Sequence, residues 1–283
     1  MNSKDNWSLI INSDSKNFSF NYKEIIEYWD LLKMLVKRDV ISFYKQTIFG
    51  PLWFFLQPLF TTIIFTFVFG NLAGLKTNNI PQPLFYLSGI TAWNYFSECV
   101  IKTSTVFKDN TNLFGKIYFP RIIMPLSIVI SNLIKFFVQF ILFIIVLMYY
   151  YFFTNFKFNF NLSILFFPIL VLLMGLLGLA LGLIITSLTI KYKDLVFLIS
   201  FAIQLLMYCT TVIYPLNNIN IKYQYLIILN PMTSIIETLR YSIFQNGIFL
   251  GSGLVYTGSV TIILLFFGFT LFNKVEKSFI DTI

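Results

Sequence analysis

Two small groups of polar side chains sit inside otherwise apolar sequence, and any chemistry in the chain would have to start there. Asn132, Lys135 and Gln139 lie three and four residues apart in the apolar run 121–152, so they share one face of a helix. Glu98, near the end of the run 84–102, is the single carboxylate inside these runs. A charge in an apolar medium is costly and faces a cavity or a partner. The face of Asn132, Lys135 and Gln139 therefore either lines a polar path or fixes helix contacts, with Lys135 reaching Glu98. The alternative is that Lys135 extends along its own stem toward water. Farther on, Glu237 and Arg240 stand three apart on one helical face; they either pair or are solvated separately.

These groups do not make an enzyme. The chain has no histidine, which removes histidine triads, histidine metal sites and histidine proton relays. A phosphate-cradling loop needs G-x-x-x-x-G-K-[ST]. The one Gly-Lys pair, Gly115-Lys116, is followed by Ile117, and Asn110 stands where the first glycine belongs. Glu98, Asp109, Asp194 and Glu237 are scattered without paired spacing, against a membrane-embedded glycosyltransferase. Cys99 and Cys209 both fall in apolar runs and read as packing residues, with a disulfide between them as the other reading.

The elements that position these residues are membrane elements. Of 283 residues 57% are hydrophobic and 11% charged, against about 25% charged in a globular domain. Six apolar runs, at 52–72, 84–102, 121–152, 162–190, 195–216 and 254–273, predict an all-α polytopic membrane protein with six transmembrane helices. The third is long enough to tilt or project. The first 20 residues hold no apolar core behind a basic start, which predicts a cytosolic N-terminus without a cleaved signal peptide; Trp7, Leu9 and Ile11 hint at a short strand there. With the N-terminus inside, fifteen of the twenty Lys and Arg fall on the cytoplasmic side; Lys76, Lys157, Lys222 and Arg240 fall outside. That is the positive-inside pattern, so the net charge of +8 needs no nucleic acid partner.

Between the spans, residues 22–45 form an amphipathic pattern, with Ile25, Trp29, Leu32, Val36 and Phe43 on one face and Glu27, Asp30, Lys33 and Lys37 on another. This predicts a helix lying on the membrane surface, or else one packed on a cytosolic domain. It meets the first span at a joint, Tyr44, Lys45, Gly50 and Pro51, where Gly permits unusual dihedrals and Pro starts a helix. The loop 107–125 mixes Leu113, Phe114, Tyr118 and Phe119 with Lys108, Asp109, Lys116 and Arg121, a composition suited to docking in a partner's groove. Asn230-Pro231 opens a helix too short to span, which reads as interfacial or re-entrant on the outer side. Gly175, Gly178 and Gly182 predict close helix packing, within one subunit or else at a dimer interface. Trp53, Phe54, Phe60, Trp93, Tyr95 and Phe96 crowd the first two spans; part of this is lipid-facing bulk, and aromatic faces also suit sliding contact with sugar rings.

Five stretches in order, YKQTIFGPLWFFLQP, FVFGNLAGL, LFYLSGITAWNYF, LFGKIYFPRIIMPLS and NPMTSIIETLRYSIF, resemble the permease subunit of type-2 ABC transporters that export polysaccharide, with the O-antigen branch favoured over capsule and teichoic acid. The resemblance covers about residues 22–280. It implies two permeases forming a channel above two copies of a separate ATPase, which binds the ATP and Mg; this chain would carry no cofactor. It implies a cytoplasmic segment 1–21, an interface helix at 22–50, a transmembrane domain at 51–273 and a cytoplasmic tail at 274–283. Residues 107–118 would be the coupling helix. Residues 217–249, with Asn230, Pro231, Glu237 and Arg240, would be outer gate helices. The aromatics of spans one, two and five, Tyr208 among them, would line the channel for a lipid-linked glycan. The other readings are a type-2 permease for a lipid or drug, and an ion-driven flippase.

Overall fold

The computed structural model describes residues 26–43, 45, 50–114, 119–154, 156, 162–192 and 194–280. The expectations for residues 1–20 and for Ile25, Tyr44, Lys116 and Tyr118 lie outside them. Every regular element among the described residues is helical. In order they are α1 (Trp29–Ser42), a 3-10 turn (Gly50–Leu52), α2 (Trp53–Phe65) running on as a π-helix (Thr66–Leu72), α3 (Gln82–Ser104), α4 (Val106–Asp109), α5 (Thr111–Phe114) and α6 (Ile123–Phe153). Then come a 3-10 turn (Leu162–Phe166) leading into α7 (Phe167–Thr189), α8 (Leu195–Tyr208), a 3-10 turn (Leu216–Asn218), α9 (Ile221–Ile228), α10 (Pro231–Phe244) and α11 (Gly251–Ile280).

Among the described residues four stretches are long and apolar enough to cross a membrane: Trp53–Leu72, Ile123–Phe153, Leu162–Thr189 and Gly251–Val275. The other two expected spans differ from the sequence reading. The second, α3, has the length, at 23 residues, but a more polar composition. It is the innermost helix, with Leu84 to Trp93, Tyr95, Phe96, Cys99, Val100, Thr103 and Ser104 all buried. A helix wrapped by other helices does not need an apolar surface all round. The fifth was expected over 195–216, yet α8 ends at Tyr208 after 14 residues. At 1.5 Å per residue that is about 21 Å, short of the ~30 Å hydrocarbon layer.

The core is built around α3, which packs against α7, α6, α2, α10 and α8. Its tightest contact is with α7. A Cβ on Gly178 would come 2.6 Å from Cys99 Cβ, and one on Gly182 would come 2.5 Å from Thr103 Cβ. Only hydrogen fits there, so the two backbones approach closely. Thr186 and Thr189 hydroxyls then bond the carbonyls of Thr103, at 2.5 Å, and Ser104, at 2.7 Å. The small-residue face is thus spent within one subunit, the first of its two readings. The contacts advance together along both helices, so α3 and α7 run in the same direction. Cys99 is packed here, whereas Cys209 is exposed just beyond α8, against the expectation that both would pack.

Candidate functional site

Three groups of residues connect the helices, one at each level of the bundle. The first is an apolar cluster of Leu32 and Leu35 from α1, Val106 and Phe107 from α4, Phe119, Ile123, Met124 and Ile128 around the start of α6, Leu179 and Leu183 from α7, and Phe272 from α11. Its rings are in register: Phe107 stacks on Phe272 at 5.1 Å and Phe114 on Phe119 at 5.7 Å. The Arg121 guanidinium lies over Phe114 at 5.6 Å. Arg38 of α1 donates to Asn110 Oδ1 at 3.4 Å, tying α1 to the loop between α4 and α5. The expected single helix at 107–118 is therefore, over its described part, two one-turn helices broken at Asn110, whose side chain donates back to Val106 O at 3.0 Å. Leu113 and Phe114 turn partly inward, which leaves Lys108, Asp109, Thr111 and Asn112 exposed.

α1 is amphipathic as expected, with a shifted apolar face. It packs on α6 through Leu32 and Leu35, while Trp29 is half exposed. Asp30 pairs with Lys33 at 2.8 Å in solvent; that hydrogen bond and charge hold its carboxyl below the ordinary range.

The second group is polar and lies between α3 and α6. Glu98 Oε1 meets Lys135 Nζ at 3.0 Å, and Glu98 Oε2 meets Lys102 Nζ at 3.2 Å. Lys135 therefore reaches Glu98 rather than extending to water. Asn94 Nδ2 approaches Gln139 Oε1 at 3.5 Å, and Asn132, fully buried, approaches Cys99 Sγ at 4.0 Å. Asn94, Glu98, Asn132, Lys135 and Gln139 line a small pocket with Tyr95 and Phe136. Lys102 joins this group from the last turn of α3. Its spacing of four from Glu98 was the available signal.

The third group is the buried pair Glu237 and Arg240 on α10. Arg240 is 1% exposed. Its guanidinium donates to Thr211 O, to Val212 O and Phe85 O at 3.1 Å each, and to Ser88 Oγ at 3.3 Å. It lies over the Phe85 ring at 3.5 Å and pairs with Glu237 at 3.5 Å. Separate solvation, the other reading of these two charges, does not hold. One side chain pins α10 to α3 and to the turn after α8. No spacing in the sequence announces Ser88, Thr211 or Val212 as its partners. Asn230 caps α10 by accepting from Met232 N at 3.0 Å, with Pro231 in the first turn. α10 is buried from Met232 to Arg240, whereas α9 has no buried residue.

The aromatics separate into two sets. Trp53, Phe60 and Tyr208 are exposed, and Phe54 is partly buried. Trp93, Tyr95 and Phe96, expected on a channel wall, sit in the core of the chain, Trp93 against Phe96 and Tyr95 against Phe136, each at 5.3 Å. Their helix is the innermost one, so a wall built on this arrangement does not include them. At the joint, Gly50 has φ of 51°, the left-handed region that disfavours other residues. Lys45 is exposed.

A helical bundle with long apolar helices and polar groups spent on holding helices together is a multi-pass membrane protein. Residues 30–244 match the family model described as ABC-2 type transporter, and the chain belongs to that family. Among similar proteins, an "O-antigen export system permease protein RfbA" of Myxococcus xanthus is 26% identical over 264 residues, covering 92% of this chain and 98% of the relative. One of the same description from Klebsiella pneumoniae is 26% identical over 253 residues, covering 89% and 95%.

Proposed function

We propose that this chain is the channel-forming permease of an ATP-driven exporter that moves a lipid-linked polysaccharide of the O-antigen class across the bacterial cytoplasmic membrane. The observation that carries this reading is the end-to-end match to relatives described as O-antigen export permeases, 98% of the first one's length being covered. Two copies form the channel, and two copies of a separate ATPase subunit bind below and hold the ATP and Mg. The chain crosses six times, with α3 as the second crossing and α8 extended by the apolar turn that follows it, with Val212, Ile213 and Leu216 buried, as the fifth, and both termini cytoplasmic. Charge supports this orientation more strongly than the sequence count did. Arg240 is buried and paired, so it no longer counts as an outer surface charge.

Movement in the ATPase pair is received at Lys108, Asp109, Thr111 and Asn112. It passes through Phe107, Phe114 and Phe119 to α6, α7 and α11 at once, because all three enter the same apolar cluster. The Arg38–Asn110 contact carries it to α1, and the joint at Gly50 carries it to α2. At the outer end α10 is the fixed half of the gate, pinned by Arg240, and α9 is the half free to move. The exposed rings of α2 and α8, Trp53, Phe60 and Tyr208, form the wall against the second copy. Ring faces suit a glycan because the contact is broad and tolerates sliding.

The test is complementation of a strain that lacks its own O-antigen permease. This chain, expressed with its cognate ATPase, restores glycan at the cell surface, and an ATPase without its nucleotide-binding lysine does not. Failure with both subunits present in the membrane, or export without ATP hydrolysis, overturns the proposal.

A further inference from the structure

The intramembrane charges have a use beyond pairing with each other. Lys102 Nζ lies over the Phe43 ring, 4.2 Å from its centroid, and Lys135 Nζ lies 5.6 Å from the centroid of Phe54. Both are within the reach of a cation–π contact. Phe43 and Phe54 stand on either side of the joint and touch each other edge to face, 5.7 Å apart and at 90°. Glu98 gives one carboxylate oxygen to each lysine. α3, α6, the end of α1 and the first turn of α2 thus meet at one cluster with three charges and two rings. Lys135 and Glu98 are partly withdrawn from water, at 13% and 30% side-chain exposure, which strengthens such contacts.

We propose that Lys102 and Lys135 are positioning residues that seat the α1–α2 joint, each holding one of its two flanking rings, with Glu98 fixing both ammonium groups in place. Gly50 permits the turn, and this seat determines where the turned chain rests. A cation over a ring face has a broad minimum, so the joint stays registered while α2 shifts. The consequence for transport rests on the exporter reading given above.

The experiment replaces Phe43, and separately Phe54, with phenylalanines carrying one, two and three ring fluorines, which drain the ring face of negative charge with little change of shape. In purified permease in lipid nanodiscs, Tm falls stepwise along each series, by about 2–4 °C in total. The Phe43 series goes flat in Lys102→Met, the Phe54 series goes flat in Lys135→Met, and Glu98→Gln flattens both. A flat series in the parent chain, or an unchanged slope against Met, overturns the seat, and neither reading depends on any substrate. In the complex with ATPase, export falls along the series by up to about tenfold at constant complex level. Export insensitive to fluorination beside a responsive Tm reduces the cluster to packing and overturns the positioning role. An unsubstituted complex that exports no O-antigen counts against the exporter reading alone.

Discussion

Arg240 carries its charge into a site closed to water, and its geometry explains how that is tolerated: four acceptors, one carboxylate and one ring face surround a planar donor. Lysine could not reproduce that fork. Arg240→Met should leave Glu237 buried without its cation and cost about 3–5 kcal/mol, read as a fall in Tm of the purified permease. Arg240→Met with Glu237→Gln should recover part of the loss, because no uncompensated charge remains. Gly89 belongs to the same site. A Cβ there would come 2.7 Å from an Arg240 terminal nitrogen that its hydrogen bonds prevent from moving away. Gly89→Ala should therefore lower Tm in the parent chain and do so less in Arg240→Met. The Glu237–Arg240 pairing was one of two readings of their spacing. That the guanidinium is mostly satisfied by backbone carbonyls from far along the chain was in no local pattern, because carbonyls carry no sequence signature.

At the scale of elements, the joint and the loop that carries α4 and α5 make opposite predictions. Around Gly50 there is open space within 4 Å, so steric room does not limit the position; its positive φ does. Gly50→Val should cost about 1–2 kcal/mol locally and impair export more than it lowers the amount of chain in the membrane. Equal loss in both measurements would return the joint to a simple insertion signal. Phe114 behaves otherwise. The loop's aromatics read from composition as docking residues, but Phe114 is stacked on Phe119 and beneath Arg121 inside the chain. Phe114→Ala should lower Tm by an amount below the ~3–5 kcal/mol equivalent of a fully buried ring. Charge reversal at exposed Lys108 and Asp109 should leave Tm unchanged and weaken copurification of the ATPase. Periodicity could show that α1 is amphipathic, yet it placed Trp29 on the buried face. The packing partner α6 keeps Leu32 of that face and adds Leu35, and only the angle between the two helices decides that.

For the whole molecule, exposed aromatic faces on α2 and α8 are the surface on which a glycan channel stands or falls. Trp53→Ala with Phe60→Ala should reduce surface glycan severalfold while the level of chain in the membrane is maintained. Trp93→Ala should instead reduce that level, since its ring belongs to the core. An equal export defect for both at unchanged chain levels would sink the division into wall and core. Hydropathy determined the helical membrane architecture, because the cost of exposing polar groups to lipid acts on each stretch of chain independently of its neighbours. The order of motifs determined the family. Which polar residues meet, which aromatics turn inward, that the polar helix α3 lies at the centre, and that two lysines sharing Glu98 hold rings on both sides of the Gly50 joint were decided by tertiary structure alone. Those contacts join residues up to 155 positions apart, and helical spacing has no range at such separations.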